Sequence, residues 1–286
     1  MADLSERLAE NAEGDFFVDS SCIDCESCMI VAPETFAESP RSLSFVRHQP
    51  QTPEAIHRAM MAVIACPTSS IGTVSRRKST AAAKAFPEEI ADGIFYLGYA
   101  SEDSYGASSY LIRRPDGNVL VDSPRAAGPL LAGIKRLGGA KWLFLTHRDD
   151  IADHEKLHAV FGCERVMMRE DVLGIDCEIP LDGPDPTRLA DDVVIIPVPG
   201  HSRGSAALLY RNEFLFTGDH LWADAEGRLD ASRNVSWYSW TEQKKSLEKL
   251  LAIDFRVVLP GHGRRYFAKD AAEAHAELAR LVARKR

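Results

Sequence analysis

No stretch of this 286-residue chain approaches the roughly 18–20 consecutive apolar residues that a membrane span requires. The opening Met-Ala-Asp-Leu-Ser-Glu has neither a basic n-region nor the apolar run of a secretory signal, so a cytoplasmic location is expected. Lysine is absent from residues 1–75, where four arginines face eleven acidic residues; this segment holds −7 of the chain's net −8. Such an acidic face repels nucleic acid and anionic membrane and attracts basic proteins. Neither nucleic acid nor membrane is therefore expected as a partner, and any electron-transfer partner should be basic. There is no internal repeat and no low-complexity tract. Cysteine is scarce, with six residues in all, but four of them fall in one pattern.

Cys22, Cys25 and Cys28 stand in C-I-D-C-E-S-C, and Cys66 precedes Pro67. In a reducing compartment, clustered cysteines bind metal more often than they form disulfides. Three thiolates so spaced wrap one corner of a cubane, and a distant Cys-Pro closes it. Ala32-Pro33 occupies the place where two-cluster proteins carry a further cysteine, so one 4Fe-4S cluster is expected. Residues 14–72 resemble the single-cluster bacterial-type ferredoxins, through V-D-S-S-C-I-D-C-E-S-C and A-C-P-T-S-S-I. The resemblance implies electron transfer; a cluster that only braces the fold stays open beside it.

Length and composition divide the chain into residues 1–75, a basic small-residue linker at 76–87 and a second domain at 88–286. Apolar patterning predicts a helix near 54–64 in the first part. In the second it predicts strands near 93–97, 109–113, 118–122, 141–146, 193–198, 206–210, 213–217 and 256–259, with helices near 128–137, 241–251 and 270–283.

Several of these strands run into His, Asp or Gly. Leu145-Thr146-His147-Arg148-Asp149-Asp150-Ile151-Ala152-Asp153-His154 comes first, followed by Gly200-His201, Gly218-Asp219 and Gly261-His262. Strand ends converge on one edge of a sheet, so these scattered positions can meet around a metal. Imidazole and carboxylate suit zinc, iron and manganese.

Over residues 88–265 these motifs resemble the metallo-β-lactamase superfamily. The expected fold class is therefore α/β (α+β), a small ferredoxin-like α+β domain followed by a four-layer αβ/βα sandwich. The resemblance implies His147 and His201 as ligands of one metal, Asp153, His154 and His262 as ligands of a second, and Asp219 as the bridge. The first motif departs from the family, because five residues separate His147 from Asp153 where three are usual. Either Asp149 replaces the customary second histidine, with a two-residue bulge after it, or Asp150 does, or the first site is incomplete. The kept spacing from His147 favours Asp149. His220 is a candidate to support the ligands or face the substrate, or an ordinary hydrogen-bonded histidine; the aromatic run Ser236–Trp240 either lines the pocket with Tyr105 and Tyr110 or, as favoured here, packs at a domain or subunit interface.

Two cations about 3.5–4 Å apart lower the pKa of a shared water toward about 7. The expected enzyme is a metallo-hydrolase that attacks a small ester, thioester or similar substrate through a metal-bound hydroxide. Asp153 is the catalytic carboxylate in this scheme, and the two divalent ions are zinc or iron. The alternative is an iron-dependent redox enzyme of oxygen, nitric oxide or sulfur chemistry, fed electrons by the cluster.

Overall fold

The computed structural model describes residues 2–285. The chain divides into two compact units. The first runs to Lys141 and adds Ala152–Gly162; the second is Trp142–Ile151 together with the chain from Cys163 onward.

In the first unit, strand Phe16–Val18 pairs antiparallel with Ile71–Thr73, and Phe36–Glu38 with Ser44–Val46. Helix Pro53–Ala65 begins as its sequence dictates: the Thr52 hydroxyl accepts from the Ala55 N–H, and proline occupies the first turn, where a missing N–H costs nothing. Its buried face is Ala59, Met60, Met61, Ala62 and Ala65, and the residue before Pro67 leaves the helical region. That stop puts Cys66 at the helix end. The return strand Ile71–Thr73 then pairs beside the strand that leads into Cys22.

The same unit contains the antiparallel meander Glu88–Ala91, Ile94–Tyr96, Tyr110–Ile112 and Val119–Val121. Residues 76–87, read from sequence as a linker, are built into this unit. They form helix Thr80–Ala83, and they bury Phe86 completely, edge-on to Tyr96 at 5.9 Å between ring centroids. Burying such a ring contributes about 1.5–3 kcal/mol. Arg58 of the long helix pairs with Glu88, Arg125 donates to the Ile64 carbonyl at 3.1 Å, and the Tyr99 hydroxyl donates to the Ala83 carbonyl at 2.9 Å. The cysteine-bearing segment and the meander thus share one compact body.

In the second unit, strands Trp142–Phe144, Glu164–Met168 and Ile179–Leu181 run parallel. Trp142–Phe144 is apolar and buried throughout, as a parallel strand covered on both faces requires. A six-stranded sheet has the order Thr187–Ala190, Val193–Pro197, Ala206–Tyr210, Phe214–Gly218, Val257–Pro260, Tyr266–Phe267. Helices Trp240–Leu250 and Ala271–Lys285 supply Leu247, Leu278 and Leu281 to a core shared with Ile196, Leu209 and Leu215. Only Phe214–Gly218 and Val257–Pro260 are parallel in this sheet. Gly218 lies opposite Pro260, so Asp219 and His262 leave the sheet at the same edge. No helix among the described residues is long and apolar enough to cross a membrane. The strand pairs near 36–46 and the strands near 164–168, 179–181 and 187–190 were not legible from sequence patterning.

Candidate metal centre and cluster site

Cys22, Cys25, Cys28 and Cys66 line one small cavity together with Val18, Ile23 and Ile71. No disulfide joins any of the six cysteines. Burial pushes the Cys25 thiol up to about 11 and raises Cys28 further. Thiols so placed are poor anions alone and become ligands only when a cation replaces the proton. The Ser70 N–H donates to Cys66 Sγ at 3.3 Å, the kind of sulfur hydrogen bond that tunes an iron–sulfur site. The donor set therefore fits the cluster expected from the sequence.

The loop before strand Tyr110–Ile112 packs against Cys25. The Ser27 hydroxyl donates to the Gly106 carbonyl at 3.1 Å. Gly106 has φ of +84°, and a Cβ there would lie 2.3 Å from Cys25 Cβ and 2.8 Å from its Sγ. Only glycine fits both that backbone and that approach.

In the second unit, His147, His201 and Asp219 present ligand atoms within 4.8 Å of one another, and so do Asp150, Asp219 and His262. Asp219 is common to both groups, as a bridging ligand would be. The elements explain the convergence. His147 follows strand Trp142–Phe144, and the Thr146 carbonyl accepts from the Ala206 N–H at 2.9 Å, which pins that strand end to the sheet carrying Asp219. His201 lies in the turn before strand Ala206–Tyr210. Gly261 leaves room where a Cβ would meet Asp150 Oδ2 at 2.8 Å and Asp219 Oδ1 at 2.9 Å.

The protonation pattern fits a cation. His201 Nδ1 contacts the Val235 carbonyl, which can only accept, so Nδ1 carries the proton and Nε2 the lone pair in a neutral ring. That Nε2 faces Asp149 Oδ2 at 3.2 Å and Asp219 Oδ2 at 3.9 Å, acceptor against acceptor unless a proton or metal lies between. Burial opposes a charged His201, but Asp149 and Asp219 outweigh it and raise its pKa. Burial lowers His147 to about 4, so its ring is neutral, and its Nε2 has no hydrogen-bond partner. Asp219 is held well below the usual carboxylate range: its burial works against this, and His262, His147 and His201 overcome it. His262 Nδ1 lies 2.8 and 2.9 Å from the two Asp219 oxygens. A buried imidazole nitrogen without a hydrogen-bond partner, faced by the carboxylates of Asp150 and Asp219, fits bound metal.

Of the residues expected to ligate, His147, His201, Asp219 and His262 come together, and Asp149 joins through His201 with its side chain 47% exposed. Asp153 and His154 are not among the converging groups. Asp153 precedes helix His154–Phe161, and its carboxylate accepts from the Ala126 N–H at 2.8 Å and from Lys156 at 2.7 Å. Asp150, 1% exposed, occupies the place foreseen for Asp153. The Trp237 ring stands 6.3 Å from that of His201, with its side chain largely exposed. His220 is fully buried, and burial drives its pKa down to about 3.

The sequence profile of the metallo-beta-lactamase superfamily matches residues 136–262, and that of the 4Fe-4S single cluster domain of ferredoxin I matches residues 18–73. No protein of curated function matches the sequence significantly. Among solved structures, DIM-1 metallo-beta-lactamase is similar at 16% identity and a TM-score of 0.54, over 70% of this chain and 97% of its own. BLEG-1 B3 metallo-beta-lactamase is similar at 18% identity and a TM-score of 0.50, over 61% of this chain and 93% of its own. At these identities the likeness concerns the fold, which over the shared stretch is that of the metallo-beta-lactamases.

Proposed function

We propose that this chain, with a 4Fe-4S single-cluster domain at residues 18–73 and a metallo-beta-lactamase superfamily domain at 136–262, is a metal-dependent hydrolase of a small ester, thioester or similar substrate. The observation that carries the reading is the pair of donor groups sharing Asp219. Two divalent cations held there would polarise the acyl oxygen and bring a water's pKa toward about 7. His147, His201, Asp149 and Asp219 would hold one of them, and Asp150, Asp219 and His262 the other.

The rest of the chemistry belongs to the side chains. The Val235 carbonyl fixes the His201 tautomer and turns its Nε2 lone pair inward. Thr146 Oγ1, 2.9 Å from His147 Nδ1, orients the second imidazole in the same way. Asp150, with Oδ2 3.9 Å from His147 Nε2, inherits the role expected of Asp153: it orients the attacking water and holds its proton. Asp150 can then return that proton to the leaving group. The exposed Trp237 face offers an apolar surface to the acyl chain. No serine or cysteine nucleophile is required.

The test is a panel of thioesters, esters and lactones assayed with anaerobically purified protein before and after chelation. Hydrolysis should vanish with the chelator and return with added metal. Protein that carries both metals and hydrolyses nothing in the panel would sink the proposal.

One observation favours the redox alternative. The donor set has as many carboxylates as imidazoles, and such a harder set shifts preference from zinc toward iron or manganese. An electron donor for the cluster would then be a basic protein, given the acidic residues 1–75. Metal analysis separates the two readings: zinc beside cluster iron supports hydrolysis, and iron in excess of the cluster with no zinc supports redox chemistry.

A further inference from the structure

Asp171 matched no motif, lies outside both donor groups, and is 1% exposed. It closes the 3-10 turn Arg169–Asp171 that follows strand Glu164–Met168. Its Oδ2 accepts from the Arg148 N–H at 3.1 Å and from the Ser202 hydroxyl, and its Oδ1 accepts from the Gly204 N–H at 2.8 Å. The Ser202 hydroxyl also lies 2.7 Å from that of Ser205, which accepts from the Ser202 N–H at 2.9 Å. Gly204 is required by this packing, because a Cβ there would lie 2.7 Å from Asp171 Cγ. One carboxylate thus ties together two loops. The first carries His147 and Asp149 on either side of Arg148; the second carries His201 immediately before Ser202.

None of these donors is a cation. A buried carboxylate without a counter-ion is costly, and a neutral residue of the same shape would ordinarily serve as well. Asparagine would not serve here. The carboxylate accepts from three donors through two oxygens, and an amide has only one acceptor oxygen. Its NH₂ would face either the Gly204 N–H or the pair formed by Arg148 N–H and Ser202 O–H. Donor against donor would push one ligand loop away from the other.

We propose that Asp171 is a positioning residue that sets the separation of His147, Asp149 and His201, and so the metal affinity of their site. The inference rests on the reading that these residues hold a metal. Partners that orient metal ligands from outside the coordination sphere typically control affinity by 10–100-fold.

The experiment measures cobalt(II) affinity of full-length, cluster-loaded protein by competition with a chromophoric chelator, with the cobalt ligand-field spectrum as second readout. His262→Ala isolates the site of His147 and His201, and His201→Ala isolates the other. In the first background, Asp171→Asn should weaken binding at least 10-fold and alter the spectrum; in the second, it should change affinity less than about 3-fold. Ser202→Ala removes one donor and leaves the carboxylate in place; it should weaken the first site alone, by a few-fold, and it decides the matter if Asp171→Asn does not fold. Equal weakening of both sites, or unchanged affinity in both variants, overturns the proposal. A parent protein that binds no cobalt beyond its cluster would instead overturn the metal-centre reading beneath it.

Discussion

Replacing Gly106 by alanine should cost this protein its cluster before it costs the fold. The added Cβ meets Cys25 Cβ at 2.3 Å, Cys25 Sγ at 2.8 Å and Pro67 Cγ at 3.2 Å. Overpacking of this kind costs about 1–3 kcal/mol, and forcing an L-residue to positive φ adds about 1–2 kcal/mol. If the loop moves to relieve the clash, the buried hydrogen bond from Ser27 to the Gly106 carbonyl is lost, at about 1 kcal/mol. The total is roughly 3–6 kcal/mol, against a typical domain stability of 5–15 kcal/mol. Since the nearest atoms are those of one thiol ligand, the first consequence should fall on iron binding.

Iron and acid-labile sulfide per chain, after anaerobic reconstitution, provide the assay, with a urea midpoint as measure of the fold. Gly162→Ala is the control, because Gly162 also has positive φ, +67°, but nothing within 4 Å of its Cβ position. Gly106→Ala should hold well under half of the wild-type cluster, whereas Gly162→Ala should hold nearly all of it. Equal cluster content in the two variants would show that the Gly106 loop does not bear on Cys25, and the argument from this contact would fail.

Cys25→Ser should lose the cluster or convert it to a three-iron form, seen by electron-spin resonance; a wild-type protein that binds no iron, or two clusters, refutes the four-cysteine assignment. Asp219→Ala should release both ions of the second domain, because it removes the shared anion between them, whereas His262→Ala should release one; equal retention in elemental analysis disproves the bridge. Glu178→Gln should destabilise the second unit by about 2 kcal/mol, since Arg165, 5% exposed, would keep a buried charge without its partner. That guanidinium holds the Glu178 carboxyl down at about 2, and an unchanged urea midpoint at neutral pH would show that the pair is worth little. A chain starting near Ala85 should not fold, because Glu88, Tyr99, Gly106 and Arg125 lose the partners that residues 27–83 supply; a soluble truncation with a cooperative melt contradicts this.

The parts of this structure that were legible in the sequence are those whose determinants are local. The cluster cysteines are spaced by the geometry of the metal they bind, so three of them fall within one loop, and the fourth stands where Pro67 stops a helix. The His and Asp residues that converge at the sheet edge were legible because each follows an apolar strand or stands beside glycine. The acidic loop was not. Asp149, Asp150 and Asp153 are chemically equal in sequence, and which of them turns inward depends on neighbours far along the chain. Gly261 leaves space for the carboxylate of Asp150, while the Ala126 N–H and Lys156 hold that of Asp153. Asp171 was invisible for a related reason: its three donors belong to residues 148, 202 and 204, and two of the three are backbone groups that no pattern of residue types records. The division at residues 76–87 misled in the opposite sense. A small-residue, basic stretch has the composition of a linker, yet Phe86 at its end is wholly buried, and one such aromatic ties a segment into a core more firmly than its neighbours' polarity can loosen it. The consequence reaches function: the cysteine-bearing segment and the meander share one core, so the state of the cluster can bear on the loop at Gly106 without any partner protein.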